Sequence, residues 1–346
     1  MMLVIIMGFF GFAVAYALTR YLCSPQSIIL LLDHPNERSL HDAAKPRTGG
    51  LAILAGLSIG CLPVFLKGGK GDVGPEFWLV LMTLVLGAAS FWDDRKGLHP
   101  LIRLILHALV AVILVHFGGM SLKVLEFPLV GSIDLGRWAF PLTVLFIMWM
   151  ANLYNFMDGL DGLAGGMTVM GCFVLGVINL SRGDLTSASI ALSAACATGG
   201  YLFFNFPPAK IFMGDIGSVS LGFLIGGLAV TGINRGHFDV WVPLLIFSPF
   251  IIDATLTLLK RVKKGSKVWQ AHREHYYQRL VLAGLGHRKT LIAEYILMGA
   301  SGLSALLYVG LKASQRLQFL VLWAIVYALL IMAVRAIEGH SKKPPL

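Results

Sequence analysis

The sequence predicts an all-α fold: a polytopic membrane bundle of about eleven transmembrane helices, N-terminus outside and C-terminus cytoplasmic. Three observations predict it. Of 346 residues, 57% are hydrophobic and only 13% charged, with a mean hydropathy of +0.77, more apolar side chain than a soluble domain of this length needs. The apolar residues gather into eleven long runs. The short alternating segments of a transmembrane barrel are absent, and no polar stretch is long enough to build a soluble core. A single integral membrane domain over 1–346 follows.

The runs span roughly 1–19, 49–66, 77–92, 101–117, 138–156, 166–180, 187–205, 217–232, 240–259, 291–311 and 317–335. The opening "MMLVIIMGFFGFAVAYALTRYL" has no basic leader and no small-residue cleavage site, so it reads as a first span and not a removable signal. "QSIILLL", at 26–32, is too short to span and reads as an extension of the first helix. The four cysteines are scattered, mostly within apolar runs, and form no C-x-x-C pair. They read as small core residues.

Lys and Arg set the orientation. Loops 20–48, 92–103, 156–165, 206–216, 260–290 and 335–346 hold 20 of the 28 basic residues, so they are assigned to the cytoplasm. The net charge of +10 is mostly this bias, plus attraction to anionic headgroups of the bilayer. A nucleic-acid partner is excluded, because there is no soluble basic domain to hold one.

The unusual polar residues fall on the same side, and the outer loops carry no comparable cluster. "DHPNERSLHDAAKPRTGG" combines Asp33 with Arg38, His41, Lys45 and Arg47 on a loop stiffened by Pro35 and Pro46. Such a loop suits phosphate groups, or else serves as a positive-inside anchor. Asp93 and Asp94 end span three, where two adjacent carboxylates need a cation or a shared proton, or solvent. "ANLYNFMDGLDGLAGG" places Asn152, Asn155, Asp158 and Asp161 at steps of three. On a helical turn these are neighbours, and the glycines that follow allow a ligand close to backbone.

"FNFPPAKIFMGDIGSVS" sets Asp215 between Gly214 and Gly217, before span eight. Asp215 can cap that helix, and it can also bind Mg²⁺, which commonly takes few carboxylates and borrows phosphate oxygens. Phe212 packs, or stacks on a base. "HREHYYQRL" supplies His272, His275, Arg273 and Arg279. Two histidines alone do not make a zinc site, but with the arginines they suit a diphosphate. Carboxylates for Mg²⁺, cations for phosphates and glycine-lined access at the membrane surface together suggest phosphoryl transfer between a soluble nucleotide substrate and a lipid phosphate.

At these residues the chain resembles the polyprenyl-phosphate N-acetylhexosamine-1-phosphate transferases (glycosyltransferase family 4). That family includes the phospho-MurNAc-pentapeptide translocase and the enzymes that start O-antigen, teichoic-acid and N-glycan lipids. "DHPNERSLH…KPRTGG", "WDDRKGL", "NLYNFMDGLDGLAGG" and "FNFPPAKIFMGDIGS" occur in the family's order, over nearly the whole chain. The resemblance implies a bundle of ten or eleven helices with a cytoplasmic cleft, in a bacterial inner membrane. It implies that a UDP-N-acetylamino sugar gives its sugar-1-phosphate to undecaprenyl phosphate, leaving UMP. The product would start O-antigen, capsule or another envelope polysaccharide.

By matching position, Asp215 would be the Mg²⁺ ligand, with Mn²⁺ a candidate substitute, and Asp93 would meet the lipid phosphate beside Asp94. Asn155, Asp158, Asp161, Asn205 and Phe212 would line the uridine and diphosphate region, with Phe212 on uracil. His275 and Arg279 would hold the diphosphate or sugar side. Arg38, His41, Arg47 and His272 complete the candidate binding set, and a homodimer is carried as a candidate assembly. A phosphate monoester has a second pKa near 6, so the acceptor is largely a dianion already and Asp93 is expected to position rather than deprotonate it.

The chain departs from the family where H-x-H-H-R-L is usual. Here the stretch runs from His275 to Leu280 with Tyr277 and Gln278 in place of two histidines. That counts against the MurNAc-pentapeptide branch and points to initiators that take fucose- or quinovose-type amino sugars. Lys96 falls one place early and is given no role. A secondary transporter with a cytoplasm-facing polar site is the rival class. It predicts mid-span charges and internal repeats. His107 and Asp253 lie within apolar runs, but no repeat is visible.

Overall fold

A computed structural model describes residues 2–29, 31–35, 43–67, 74–128, 131–266 and 272–340. The described residues form helices α1 (Met2–Leu22), α2 (Gly49–Lys67), α3 (Pro75–Lys96), α4 (Pro100–Phe117), α5 (Ala139–Met157), α6 (Leu163–Ser181) and α7 (Leu185–Asn205). They continue as α8 (Gly214–Asn234), α9 (Trp241–Ile246), α10 (Ser248–Lys263), α11 (Tyr276–Leu280), α12 (Gly286–Val309) and α13 (Ala313–His340). Nine helical stretches among the described residues are long and apolar enough to cross a membrane, and Gly49–Leu62 of α2 is a shorter apolar stretch.

The helix ends follow local chemistry. Pro75 and Pro100 open α3 and α4, where a missing N–H costs nothing. Gly97 closes α3 in the left-handed region at φ 65. Asp184 caps α7 by accepting from Ser187 N at 3.0 Å. The α8 helix is the axis of the bundle: 94% of its span is buried inside the protein, against 6% for α13. It packs between α3 and α5. The approach to α5 is so close that a Cβ at Gly222 would lie 2.4 Å from the Met150 carbonyl oxygen. In lipid, apolar contact gives helices little reason to associate, so small residues that admit backbone packing set such a core.

Three expectations change. The run 240–259 is two helices, α9 and α10, broken at Phe247. Pro249 removes an N–H from the helical ladder, and the Ser248 hydroxyl instead donates to the Leu245 carbonyl at 2.7 Å. Residues 23–29 do not extend α1, which ends at Leu22. The fold is all-α as expected and adds only two short pairings: β1 (Leu32–Asp33) pairs with β2 (Lys45–Pro46), and β3 (Val124–Phe127) forms an antiparallel hairpin with β4 (Gly131–Asp134). The end of the bundle expected to lack a charged cluster has one. Arg235 pairs with Glu76 and Asp184 there, and His237 lies 2.7 Å from Asn179 Oδ1.

Candidate active site

At the other end of α8, all five polar segments reach one cavity of about 240 Å³. Asp33 and Arg47 come from the first, and Asp94 from the end of α3. Asp158 to Asp161 follow α5, Phe212 to Asp215 lead into α8, and Gln278 and His287 close the far wall.

Asp215 is in the first turn of α8, but it is not the helix cap. Its Oδ1 accepts from Asn155 Nδ2 at 2.8 Å, and its Oδ2 lies 2.9 Å from Arg103 Nη1. The same guanidinium nitrogen is 3.2 Å from Asp93 Oδ2. Asp93 Oδ1 also accepts from Leu98 N at 2.7 Å, which fixes its rotamer. Arg103 therefore ties α3 to α8. The adjacent aspartates do not share a partner: Asp94 Oδ1 faces Arg47 Nη1 at 3.4 Å, and Arg47 also donates to the Asp94 carbonyl. Asp94 Oδ2 is buried and accepts no hydrogen bond. Gly214, at φ 67, brings backbone against it: a Cβ there would lie 3.0 Å from that oxygen and 2.4 Å from the Arg47 carbonyl.

The step-of-three motif reaches the cavity by a different geometry from the one expected. The α5 helix ends at Met157, and Asp158 leaves it at φ −83, ψ 53, so Asp158 and Asp161 are not neighbours on a helical turn. Asn152 turns back to donate to Met148 O at 2.8 Å and stays out of the site. Burial holds the Asp158 carboxyl far above its ordinary range, at about 7, and the negative fields of Asp215, Asp161, Asp94 and Asp33 push the same way. Asp161 accepts from Ala209 N at 2.9 Å and lies 3.9 Å from Lys45. Asn205 lines the cavity with both ends of its amide in use, accepting from Gly162 N and donating to Ile211 O, each at 2.9 Å. Phe212 lines it too, with the Lys45 ammonium 5.2 Å from its ring centre.

The histidine stretch differs most from expectation. His275 is buried, with Nδ1 3.0 Å from Asp253 Oδ1, and Asp253 also accepts from Tyr276 N and Tyr277 N. Arg279 does not reach the cavity wall: its guanidinium is spent in a two-pronged pair with Glu338 of α13. His272 packs its ring 4.9 Å from that of His275, away from the cavity lining. Burial, together with His275 and Arg261, lowers its pKa to about 4. Arg38 and His41 lie outside the described residues. The sequence reading missed Arg103, Gln278 and His287. Arg103 alone left a signal, a cation one turn inside an apolar helix.

The donor chemistry fits a hard divalent cation. Asp94 carries an oxygen without a donor, and Asp158 and Asp215 face the same space. Among the described residues no group of three or more His, Cys, Asp or Glu could hold a metal alone. A cation here would complete its shell with ligand oxygens and water, as Mg²⁺ commonly does.

Helices that cross a membrane around an acidic, arginine-braced cavity at one end define a polytopic membrane protein with a polar reaction cleft. The glycosyl transferase family 4 model matches residues 77–233, the stretch that carries Asp93, Asp94, Asn155, Asp158, Asp161 and Asp215. The chain is 31% identical over 319 residues to a probable undecaprenyl-phosphate N-acetylglucosaminyl 1-phosphate transferase of Bacillus subtilis, covering 90% of this chain and 87% of that protein. It is 30% identical to the decaprenyl-phosphate N-acetylglucosaminephosphotransferase of Mycobacterium tuberculosis, over 77% of this chain and 72% of the relative. A third relative, the undecaprenyl-phosphate alpha-N-acetylglucosaminyl 1-phosphate transferase of Yersinia pestis, is 27% identical over 88% of this chain and 82% of its own length. The chain belongs to glycosyl transferase family 4. The transporter reading finds no support among these relatives.

Proposed function

We propose that the protein transfers an N-acetylamino-sugar-1-phosphate from a UDP-sugar to a polyprenyl phosphate, undecaprenyl phosphate first among acceptors, and releases UMP. The reading places the cavity on the cytoplasmic face of a bacterial inner membrane, where the basic loops lie. The observation that carries it is the bridge of Arg103 between Asp93 and Asp215, beside an Asp94 oxygen that has no donor. Asp94 and Asp215 line the cavity, and Asp93 stands behind it on the same arginine, so the carboxylates are held in fixed positions, as in-line transfer between two phosphates requires.

Asp215, with Asp94 or Asp158, would hold Mg²⁺. The ion supplies charge neutralisation on the diphosphate. Arg47 and Arg103 offer guanidinium donors to phosphate oxygens, and Asp93 orients the attacking acceptor without needing to remove a proton. Phe212, which lines the cavity beside Lys45, offers an aromatic ring to a flat base. The relatives' names favour N-acetylglucosamine over the 6-deoxy amino sugars that the altered histidine stretch suggested.

The purified chain, in detergent with undecaprenyl phosphate, should be offered UDP-N-acetylglucosamine, UDP-MurNAc-pentapeptide and 6-deoxy UDP-amino sugars. UMP should form only with lipid acceptor, divalent cation and a preferred sugar. No UMP with any donor, or UMP made equally well without acceptor, would overturn the assignment.

A further inference from the structure

We propose that Glu338, near the end of the C-terminal helix, is a positioning residue that sets the far wall of the donor cavity by gripping Arg279. The inference rests on the transferase reading above. The α11 segment is only five residues long, yet it supplies Gln278 to the cavity lining. It also lays Tyr277 against Gly159, so closely that a Cβ there would lie 2.2 Å from the tyrosine oxygen.

Within the segment itself α11 is held by a single capping box, in which the His275 side chain accepts from the Gln278 backbone amide and His275 N donates to Gln278 Oε1 at 3.3 Å. A widened helical turn over Val281–Leu285 follows it, with Gly284 at φ 103 and Gly286 at φ 74. Such a segment needs anchors at both ends. Asp253 of α10 supplies the first by accepting from Tyr276 N at 3.0 Å and Tyr277 N at 3.2 Å. Glu338 supplies the second. Arg279 Nε reaches Oε1 at 2.6 Å and Nη2 reaches Oε2, while the guanidinium carbon sits 4.7 Å from the centre of the Tyr276 ring. A two-pronged, half-buried pair of this kind is the case in which an ion pair fixes geometry.

The other end of the grip is on α13, which has little packing to lose. Only Trp323 and Tyr327 of that helix are buried. Polar ties secure it instead. Arg316 meets Asp239 at 3.1 Å, the Tyr327 hydroxyl donates to Ser248 Oγ at 2.5 Å, and Glu338 holds Arg279. Of these three, only the last reaches the segment that lines the cavity. The reacting carboxylates stand on α3 and α8, and among the described residues they pair with Arg47, Leu98, Arg103 and Asn155, none of them on α11. Loss of the grip should therefore lower the fraction of protein with a complete donor wall, and leave the reacting groups in register.

Glu338→Gln should raise KM for the UDP-sugar about tenfold and leave kcat within about twofold, because apparent affinity scales with the competent fraction. Amide hydrogen exchange over 276–285 should quicken in the same variant. The swap Arg279→Glu with Glu338→Arg should bring both readouts back toward wild type. Unchanged KM and exchange in Glu338→Gln would overturn the proposal, as would a fall in kcat with KM unchanged. If the wild-type chain turns over no UDP-sugar, the transferase reading fails, and the exchange measurement alone still decides whether Glu338 holds α11.

Discussion

The two ends of α8 are built from the same residue types to opposite effect. At its C-terminal end, Arg235 pairs with Glu76 and Asp184, and Ser187 adds donors to both acids. Burial pushes the Asp184 carboxyl up, but the Ser187 amide, Arg235 and the Ser187 hydroxyl more than offset it, and its pKa lies below the ordinary range. At the N-terminal end, Asp33, Asp94, Asp158, Asp161 and Asp215 line one cavity, while among the described residues Arg47 is the only Lys or Arg in its lining. Asp158 there is held up at about 7. One network is closed by short pairs, whereas the other gathers more carboxylates than cations around an open cavity. A structural network satisfies its own members, whereas the site proposed to receive a cation and phosphates leaves room for them.

The sharpest break of that comparison is at Asp215. Asp215→Ala should abolish UMP release, a loss of at least about a thousandfold if the carboxylate holds the charge that the diphosphate must meet. Near-normal turnover in Mg²⁺ would end the metal assignment. Next is Arg103→Ala, which frees Asp93 and Asp215 together. It should cost on the order of a hundredfold in kcat through misplacement of both groups. An effect confined to thermal stability would make Arg103 a structural brace like Arg235.

Much of the site was legible because its residues break local rules. Adjacent acids at a helix end, carboxylates among glycines and a proline-stiffened cationic loop all stand out against apolar sequence. The partners were not legible. Arg103 reads as one more interfacial cation until α4 packs against α3 and α5, and its partner Asp215 is 112 positions away. Arg279 misled for the converse reason. A guanidinium beside histidines suggests a phosphate, and only the fold brings Glu338, 59 residues on, into its fork. The break at Phe247 was half visible, since Pro243 and Pro249 kink a helix, but the replacement donor at Ser248 depends on local geometry. The hairpin β3–β4 carries too few residues to show a periodicity.

At the balanced end the expected effect is smaller and of another kind. Arg235→Ala should leave kcat unchanged and lower stability by about 1–2 kcal/mol, a figure reduced for the partial exposure of the guanidinium. Thermal unfolding in detergent beside a turnover assay separates the two readouts. A loss of activity at full stability would mean that this end also takes part in the reaction.

The finest distinction is in pH. Asp158 binds its proton in the folded protein up to about pH 7, whereas an unfolded aspartate releases it near 4. Folding is therefore favoured at low pH by this group, and the contribution fades as pH rises toward 7 and is flat above it. Asp158→Asn should remove that slope, so the variant gains on wild type between pH 5 and 7. His272 has the opposite sign. Its pKa falls to about 4, below the ordinary histidine value, so the folded protein resists a proton that the unfolded chain accepts. Wild type should lose stability against His272→Gln as pH falls from about 6.5 toward 4, by less than the Asp158 effect because the ring is only half-buried. Melting curves of the three proteins across pH 5 to 8 test both signs. A parallel shift of all three would mean that neither group differs between folded and unfolded chains, and that the carboxylates at the N-terminal end of α8 do not hold a proton through Asp158.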